Sequence, residues 1–398
     1  MKKGLLTSGK ISEFNDISLD LIKNLKSISK NKLRLNEPYF SGDEITQIRK
    51  CIKNTYVSSK SEIVSTFEKK ISKYTKSKFS IATITGTSSL HMCLVVLGVK
   101  KDHEVFLPSF NFISAANSIT YCGATPHFVD INKDDLSVDP FKLEKYLKKN
   151  FIKKRGFCFN KKTKKYVKAI IVPHIFGHPA KIDEIIKISK KYKIKVIEDA
   201  AESLGSFYKK KHTGTFGDLG VLSFNGNKIL TTGAGGAILT NNKSYALRLR
   251  NLTEQAKIYH PYKFSYNSIG YNLRMAGINA SLGLAQIKKI GTLIKAKRKL
   301  YKIYKKVFKD DKLFKLRSEP KNCRSNYWLN NLELMYENSK LRDYLLKNTN
   351  SNKIQTRPAW TLIHEIKHFK KCPRDNLSVS KKYFNKIISI PSSPGLII

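Results

Sequence analysis

Two rhythms of apolar and polar positions run along this chain, and the change between them marks its organisation. Before residue 79 the spacing is helical. Asp16–Leu25, Asp43–Lys53 and Ile63–Tyr74 each repeat apolar residues three and four apart, as one face of a helix does. Ser41 or Asp43 stands where an N-cap belongs. Between these helices, Leu35–Gly42 reads as extended and turn-rich, and Val57-Ser58-Ser59 as a polar loop.

From Phe79 the rhythm becomes one of short apolar runs separated by helical stretches. Phe79–Ile84, Glu104–Pro108, Pro126–Asp130, Ala169–His174, Lys195–Asp199 and Gly220–Phe224 read as strands. Leu90–Leu97, Phe112–Cys122, Asp139–Lys149 and Ile182–Tyr192 read as helices, and Cys158–Lys168 as a polar hairpin insertion. Strands alternating with helices predict a mostly parallel sheet covered on both faces. Ligands of such sheets bind beyond the carboxyl ends of the strands. Gly86, Pro108, His174 and Asp199 all fall at such ends. After residue 262 the alternation weakens. Ile278–Phe308 reads as one long helix, Asn326–Leu334 as a strand, Leu341–Lys347 as a helix, and Ile387–Ile390 as a strand entering a turn. The expected organisation is α/β: an N-terminal arm over 1–34, a large domain over 35–262 and a smaller α+β domain over 263–398.

Composition changes this picture in two ways. With 398 residues, 41 % of them hydrophobic, the chain can bury a large core. Its 75 Lys+Arg against 30 Asp+Glu give a formal net charge of +45. Such a balance fits a nucleic-acid binder or a lysine-rich bias spread over every surface. Only 12 of the basic residues are Arg, the residue whose fork reads bases and phosphates, and no basic block stands alone as a tail. The dispersed bias is the better account. Six cysteines lie scattered without a C-x-x-C pair, against a zinc site or a disulfide framework. Met1–Leu6 is basic but no apolar core follows it, and no apolar run approaches the ~18 residues of a membrane span. A soluble cytoplasmic protein, binding neither nucleic acid nor membrane, is the expectation.

The candidate chemistry centres on Phe216–Thr240. There a strand, a tight turn at Asn225-Gly226-Asn227, one lysine and a glycine-rich turn lead into another apolar run. Lys228 is framed by Ser223, Asn225, Asn227, Thr231 and Thr232, short hydrogen-bonding groups rather than charges. A lysine so placed is a candidate amine nucleophile of the kind that forms Schiff bases with carbonyl compounds. Thr85-Gly86-Thr87-Ser88-Ser89, between a strand and a helix, could be an anion site or an ordinary N-cap. Asp199 ends a buried strand, where a carboxylate needs a cationic or donor partner. It could meet a protonated pyridine nitrogen or cap a following helix. Phe112 could stack on a ring or pack in the core.

Five motifs in order resemble the DegT-type sugar aminotransferases: Thr-Gly-Thr-Ser-Ser-Leu-His (85–91), Leu-Pro-Ser-Phe-Asn-Phe (107–112), Glu-Asp-Ala-Ala-Glu-Ser-Leu-Gly (198–205), Gly-Asp-x-Gly…Ser-Phe-x3-Lys (217–228) and Gly-Tyr-Asn-x-Arg (270–274). The resemblance covers about residues 34–395. It implies the pyridoxal-phosphate-dependent transferase fold type I, like aspartate aminotransferase, with pyridoxal 5'-phosphate as cofactor. It further implies that Lys228 bonds the cofactor, Asp199 holds the pyridine nitrogen, Phe112 stacks on the ring and Glu202 lies near its 3-hydroxyl. Gly86, Thr87, Ser88 and Ser223 would surround the phosphate. Asn272 would reach the phosphate of a neighbouring subunit, which makes the enzyme a homodimer with shared active sites. Thr85 and Ala234 depart from the residues common in relatives, without removing one of these contacts.

Val57-Ser-Ser, Cys158-Phe-Asn-Lys-Lys-Thr (158–163 in the insertion), Ser223–Lys228, Thr356–Thr361 and Ile390–Pro394 are similar to the LegC branch of that family. That likeness implies amination of the 4-keto group of UDP-4-keto-6-deoxy-N-acetylglucosamine, with glutamate leaving as 2-oxoglutarate, on a route to nonulosonic acids. Arg357 or Lys60 would receive the diphosphate. The alternatives are GDP-4-keto-6-deoxymannose or a dTDP-keto sugar as substrate, and a regulatory or nucleic-acid-binding protein on the same scaffold. A dehydratase of this fold typically has His at the lysine position, and this chain has Lys228.

Overall fold

The computed structural model describes residues 11–29 and 32–398. The start of the expected N-terminal arm, Met1–Leu6 included, lies outside the described residues.

Seven strands form the spine of the larger sheet: β1 (Phe79–Thr83), β2 (His103–Pro108), β3 (Thr125–Val129), β4 (Tyr166–Pro173), β5 (Lys195–Asp199), β6 (Leu219–Ser223) and β7 (Gly236–Thr240). Their order across the sheet is β1-β7-β6-β5-β4-β2-β3. The pairs β6–β5, β5–β4, β4–β2 and β2–β3 are parallel, and β7 runs antiparallel to both of its neighbours. Six strands therefore end at the edge where β7 begins.

Both faces of this sheet are covered, as the continuous apolar runs require. In β4, Ile171 joins one buried cluster with Val105, Leu107 and Ile197. Its neighbours Ile170 and Val172 join another, with Phe106 and Val196, on the opposite face. Successive strand residues point to opposite sides, so one run of sequence supplies two cores.

A second, antiparallel sheet pairs Phe314–Leu316, Asn330–Leu334, Ile387–Ile390 and Arg357–Pro358 in that order. The long helix Gly277–Val307 connects the two sheets. Its Ala280, Ile287, Ile290 and Leu293 pack with Leu222 and Leu239 of the large sheet. Further along, Leu300 and Tyr304 pack with Leu332, Leu334 and Ile388 of the small one. The N-terminal helix Ile11–Lys26 sets Leu21 and Leu25 into that same small-sheet core. None of the described helices is long and apolar enough to cross a membrane.

The elements depart from the sequence reading where side chains redirect the backbone. The helix expected from Leu90 already starts at Gly86. Helix Gly86–Val96 begins there because Thr85 caps it, its Oγ1 accepting from the Ser88 N–H at 3.0 Å. The inserted hairpin pairs Phe151–Lys154 with Phe157–Asn160, and Tyr166 already belongs to β4. Arg155 (φ 51°) and Gly156 (φ 78°) make its tight turn, both left-handed as a two-residue hairpin loop demands. The strand expected from Asn326 starts only at Asn330. Residues 325–329 leave the sheet because the Asn326 amide donates to the carbonyls of Glu202 and Leu204, both at 2.9 Å. Helix Asp43–Lys53 has the expected bounds, but Gly42 is its N-cap residue and gives no side-chain cap.

Candidate active site

The carboxyl ends of the strands surround a cleft of about 320 Å³. Of the residues singled out from the sequence, Gly86, Thr87, Phe112, Asp199, Glu202, Ser223 and Lys228 all line it. They come from four separate stretches of chain and meet because the parallel strands end together.

One wall is bare backbone. Thr85 occupies the Ser88 N–H, while the N–H groups of Gly86 and Thr87 precede any carbonyl that helix geometry could offer them. A side chain at Gly86 would put its Cβ 2.9 Å from that of Ser223, and one at Gly236 would press on the Thr85 carbonyl at 2.5 Å. Glycine at both positions keeps a small polar hollow open at the positive end of a helix, which favours a phosphate. Ser88 does not line the hollow, and its hydroxyl lies 2.8 Å from that of Thr85.

The opposite wall carries the ionisable groups. Lys228 sits in the loop from β6 to β7, its N–H bonded to the Asn225 carbonyl at 2.9 Å. Its Nζ lies 3.6 Å from Glu202 Oε1 and 3.9 Å from the centroid of the Trp328 ring. Trp328 is fixed in turn by its Nε1–H, which donates to the Asn227 carbonyl at 2.8 Å. Glu202 Oε2 accepts from the Phe176 N–H at 2.8 Å. Burial pushes the Glu202 carboxyl up to about 7, with Asp199 adding to the rise and Lys228 and the Phe176 N–H opposing it.

Asp199 is buried at the end of β5. The chain after it makes turns rather than a helix, so Asp199 caps nothing helical. Its Oδ1 accepts from the Ala201 N–H at 3.2 Å. Burial raises its pKa, while the Ala201 N–H, Lys228 and His174 pull the other way. His174, also on the cleft wall, accepts the Ala180 N–H at Nδ1 (3.0 Å) and so donates from Nε2 to Glu198 Oε2 (3.0 Å). Glu198 further accepts from Gly214, Phe216 and Gly217. Burial disfavours its charge, yet His174 and the N–H donors of Gly217 and Gly214 hold it below the usual carboxylate range.

These groups fit pyridoxal phosphate. A free helix N-terminus matches the phosphate, a buried carboxylate short of donors matches a protonated ring nitrogen, and a lysine amine matches the carbonyl carbon. Asn111 adds a buried Nδ2 without a partner among the described residues, a donor left over on the cleft wall. Phe112, half exposed at the rim, faces Trp360 with ring centroids 6.4 Å apart. Among the described residues no cluster of His, Cys, Asp and Glu could hold a metal ion.

Asn111 lies in the 107–112 motif and Trp360 in Thr356–Thr361 without a role assigned to either, Trp328 lies in an expected strand, and His174 stood out only as a strand end. One signal was present: the chain has two tryptophans, and both line the cleft. Asn272 is exposed and away from this cleft, bridging to Glu254. The helix after it starts at Gly277 with Ala276 as N-cap, so Asn272 does not cap it.

The sequence profile described as the DegT/DnrJ/EryC1/StrS aminotransferase family matches residues 38–397. The GDP-perosamine synthase of Escherichia coli O157:H7 is 31 % identical over 90 % of this chain and 93 % of its own length. The UDP-4-amino-4,6-dideoxy-N-acetyl-beta-L-altrosamine transaminase of Campylobacter jejuni is 30 % identical over 71 % of this chain and 72 % of its own. Among solved structures, a DegT DnrJ EryC1 StrS aminotransferase from Brucella abortus superposes with a TM-score of 0.79 at 27 % identity, covering 88 % of this chain and 90 % of that one.

The raised pKa of Glu202 makes a stability prediction for the cofactor-free protein. A carboxyl whose folded pKa exceeds its unfolded value of 4.5 stabilises the fold below pH 4.5 and loses that contribution as pH rises through about 7. Glu202→Gln removes the titration. The melting temperature of the variant relative to wild type should therefore increase between pH 5 and pH 8. A difference independent of pH would show that Glu202 ionises at its ordinary value.

Proposed function

The chain belongs to the DegT/DnrJ/EryC1/StrS family of pyridoxal-phosphate-dependent aminotransferases, and from that premise we propose that it transfers an amino group from glutamate to C4 of a nucleoside-diphosphate 4-keto-6-deoxy sugar. UDP-4-keto-6-deoxy-N-acetylglucosamine is the substrate we assign first, feeding nonulosonic acid synthesis. The observation that carries the chemistry is the meeting of Lys228, Asp199 and the free N-terminus of helix Gly86–Val96 in one cleft.

Pyridoxal phosphate, when bound, carries the amino group and withdraws electrons from the reacting carbon. This chain's residues do the rest. Lys228 Nζ would hold the cofactor through its carbonyl carbon and would take and return the proton at the reacting carbons of donor and acceptor. Trp328 and Glu202 hold that amine in place when it is free. Asp199 would hold the protonated ring nitrogen, and Phe112 would lie against the ring. The N–H groups of Gly86 and Thr87, with Ser223, would bind the phosphate, and Ser88 would support them through Thr85. A groove lined by Arg357, Phe176 and Trp360 opens from the cleft through Asn227 and Trp328. Arg357 is exposed there and suits the diphosphate of the sugar nucleotide; Lys60 lines neither space.

The site is shared between two protomers in this reading. Asn272 lies outside its own cleft, beside a stretch where Tyr259, Tyr262, Phe264 and Ile269 are 79–90 % exposed. That much bare apolar surface on one segment marks an interaction face. A second subunit would cover it and receive Asn272 at its own phosphate hollow.

A second substrate reading has its own support: a relative at 31 % identity is named for GDP-perosamine, which favours GDP-4-keto-6-deoxymannose. Purified enzyme offered glutamate with each keto sugar nucleotide separates the two. Release of 2-oxoglutarate is expected with UDP-4-keto-6-deoxy-N-acetylglucosamine, with kcat/KM above that for the GDP sugar. The reverse order would move the assignment to the GDP sugar, and no turnover with either would overturn the C4 reading. The shared site makes a separate prediction. Lys228→Ala and Asn272→Ala, each inactive, should regain activity toward about a quarter of wild type when their subunits are mixed and reassociated, because one site per heterodimer is then intact. No recovery, with heterodimers demonstrated, would put both residues in one subunit's site.

A further inference from the structure

Lys297 is fully buried on the long helix Gly277–Val307, and no carboxylate among the described residues neutralises it. Its Nζ donates to three oxygens from distant parts of the chain: Asn36 Oδ1 at 2.7 Å, the Trp328 carbonyl at 2.9 Å and the Ser392 carbonyl at 2.6 Å. Three acceptors call for the ammonium form, while burial alone pushes its pKa down to about 7. A buried cation without a counter-ion is a costly way to join two loops, since an apolar side chain fills such a space at less cost. The charge at this place therefore calls for an account beyond packing.

Its partners lead to the reactive lysine. Trp328, gripped at its carbonyl by Lys297, lays its indole over Lys228 Nζ and donates Nε1–H to the carbonyl of Asn227, the residue before Lys228. Asn36, gripped at its Oδ1, donates its Nδ2 to that same Asn227 carbonyl. Two routes from one ammonium thus converge on the peptide that carries Lys228. The adjacent Arg298 holds the other end of the loop, donating to the Ser325 carbonyl at 2.6 Å while paired with Glu319. Asn326 ties the middle of the loop to the carbonyl of Glu202.

We propose that Lys297 is a positioning residue for the transfer reaction: through Trp328 and Asn36 it fixes the Asn227–Lys228 peptide, so that Lys228 Nζ stays over the indole, facing Glu202, whenever it is not bonded to the cofactor. This rests on Lys228 being the reactive amine. Lys297 lines neither the cleft nor the groove beside it, and it couples the helix between the two sheets to the loop that must hold a reactive atom to within a fraction of an ångström.

The test uses Lys297→Met, which keeps an unbranched side chain one atom shorter and removes the ammonium. In the holoenzyme kcat should fall about tenfold with KM for the sugar nucleotide unchanged, since only the placement of the amine is disturbed. Combining Trp328→Leu with Lys297→Met should cost less than the two single losses added together, because Lys297 acts in part through the indole. An independent readout is the emission of Trp328 in a Trp360→Phe background without cofactor. It should move to longer wavelength in Lys297→Met as the indole loses its buried seat. Should Lys297→Met not fold, Asn36→Ala severs one of the two routes and should lower kcat in the same direction. Unchanged kcat and emission, a lowered melting temperature with normal kcat, or effects of Lys297→Met and Trp328→Leu that simply add would each overturn the role. Reductive labelling of the variant on Lys228 separates that outcome from failure of the functional reading, in which the label would fall on another lysine.

Discussion

A carboxylate at the buried end of a parallel strand is the constraint around which this molecule is built. Removing an ion from water costs on the order of several kcal/mol even after the protein relaxes. Asp199 bears that cost with a single N–H donor at Oδ1 among the described residues. Its neighbour Glu198, one residue earlier in the strand, shows the alternative. Pointing to the other face, Glu198 is saturated by His174 and three backbone N–H groups and is a closed structural anchor. Two adjacent carboxylates in one strand thus divide the labour. One is satisfied by the fold, and the other is left open toward the cleft for a cationic partner that the fold does not itself contain.

The remaining parts follow from that geometry. A parallel sheet brings the ends of β2, β4, β5 and β6 to one edge, and the reversal at β7 returns the chain to it. The return loop carries Lys228 across from Asp199, and the close contact between Gly86 and Ser223 brings the N-terminus of helix Gly86–Val96 into the same space. Phosphate, ring nitrogen and reactive carbon of one flat cofactor need just these three neighbours. Glu202, lifted to about 7 by burial and facing Lys228, adds a group whose proton is mobile at neutral pH.

Much of this was legible in the sequence because it is local. Strand–helix alternation follows from periodicity, and Lys195–Asp199 has the bounds that its apolar run predicts. Thr85, Gly86 and Lys228 are marked by their immediate neighbours. What escaped is what depends on contacts between distant stretches. Asn326 looks like the first residue of a strand until its amide meets the carbonyls of Glu202 and Leu204, more than a hundred residues away. Trp328 and Trp360 are aromatic residues like any others until the fold sets them against the cleft. Lys297 is one lysine in a lysine-rich helix, and only its burial distinguishes it. The same lysine abundance hides Lys228 from any argument on composition, so its identification rests on its frame and on what it faces.

The chemistry of the cleft depends on Lys228 being the residue to which the cofactor attaches. Reduction of the holoenzyme with borohydride, followed by peptide mapping, identifies that residue, because the reagent fixes the cofactor to whichever lysine holds it. The label is expected on the peptide containing Asn225-Gly226-Asn227-Lys228, and none there in Lys228→Ala. A label on any other lysine would contradict it.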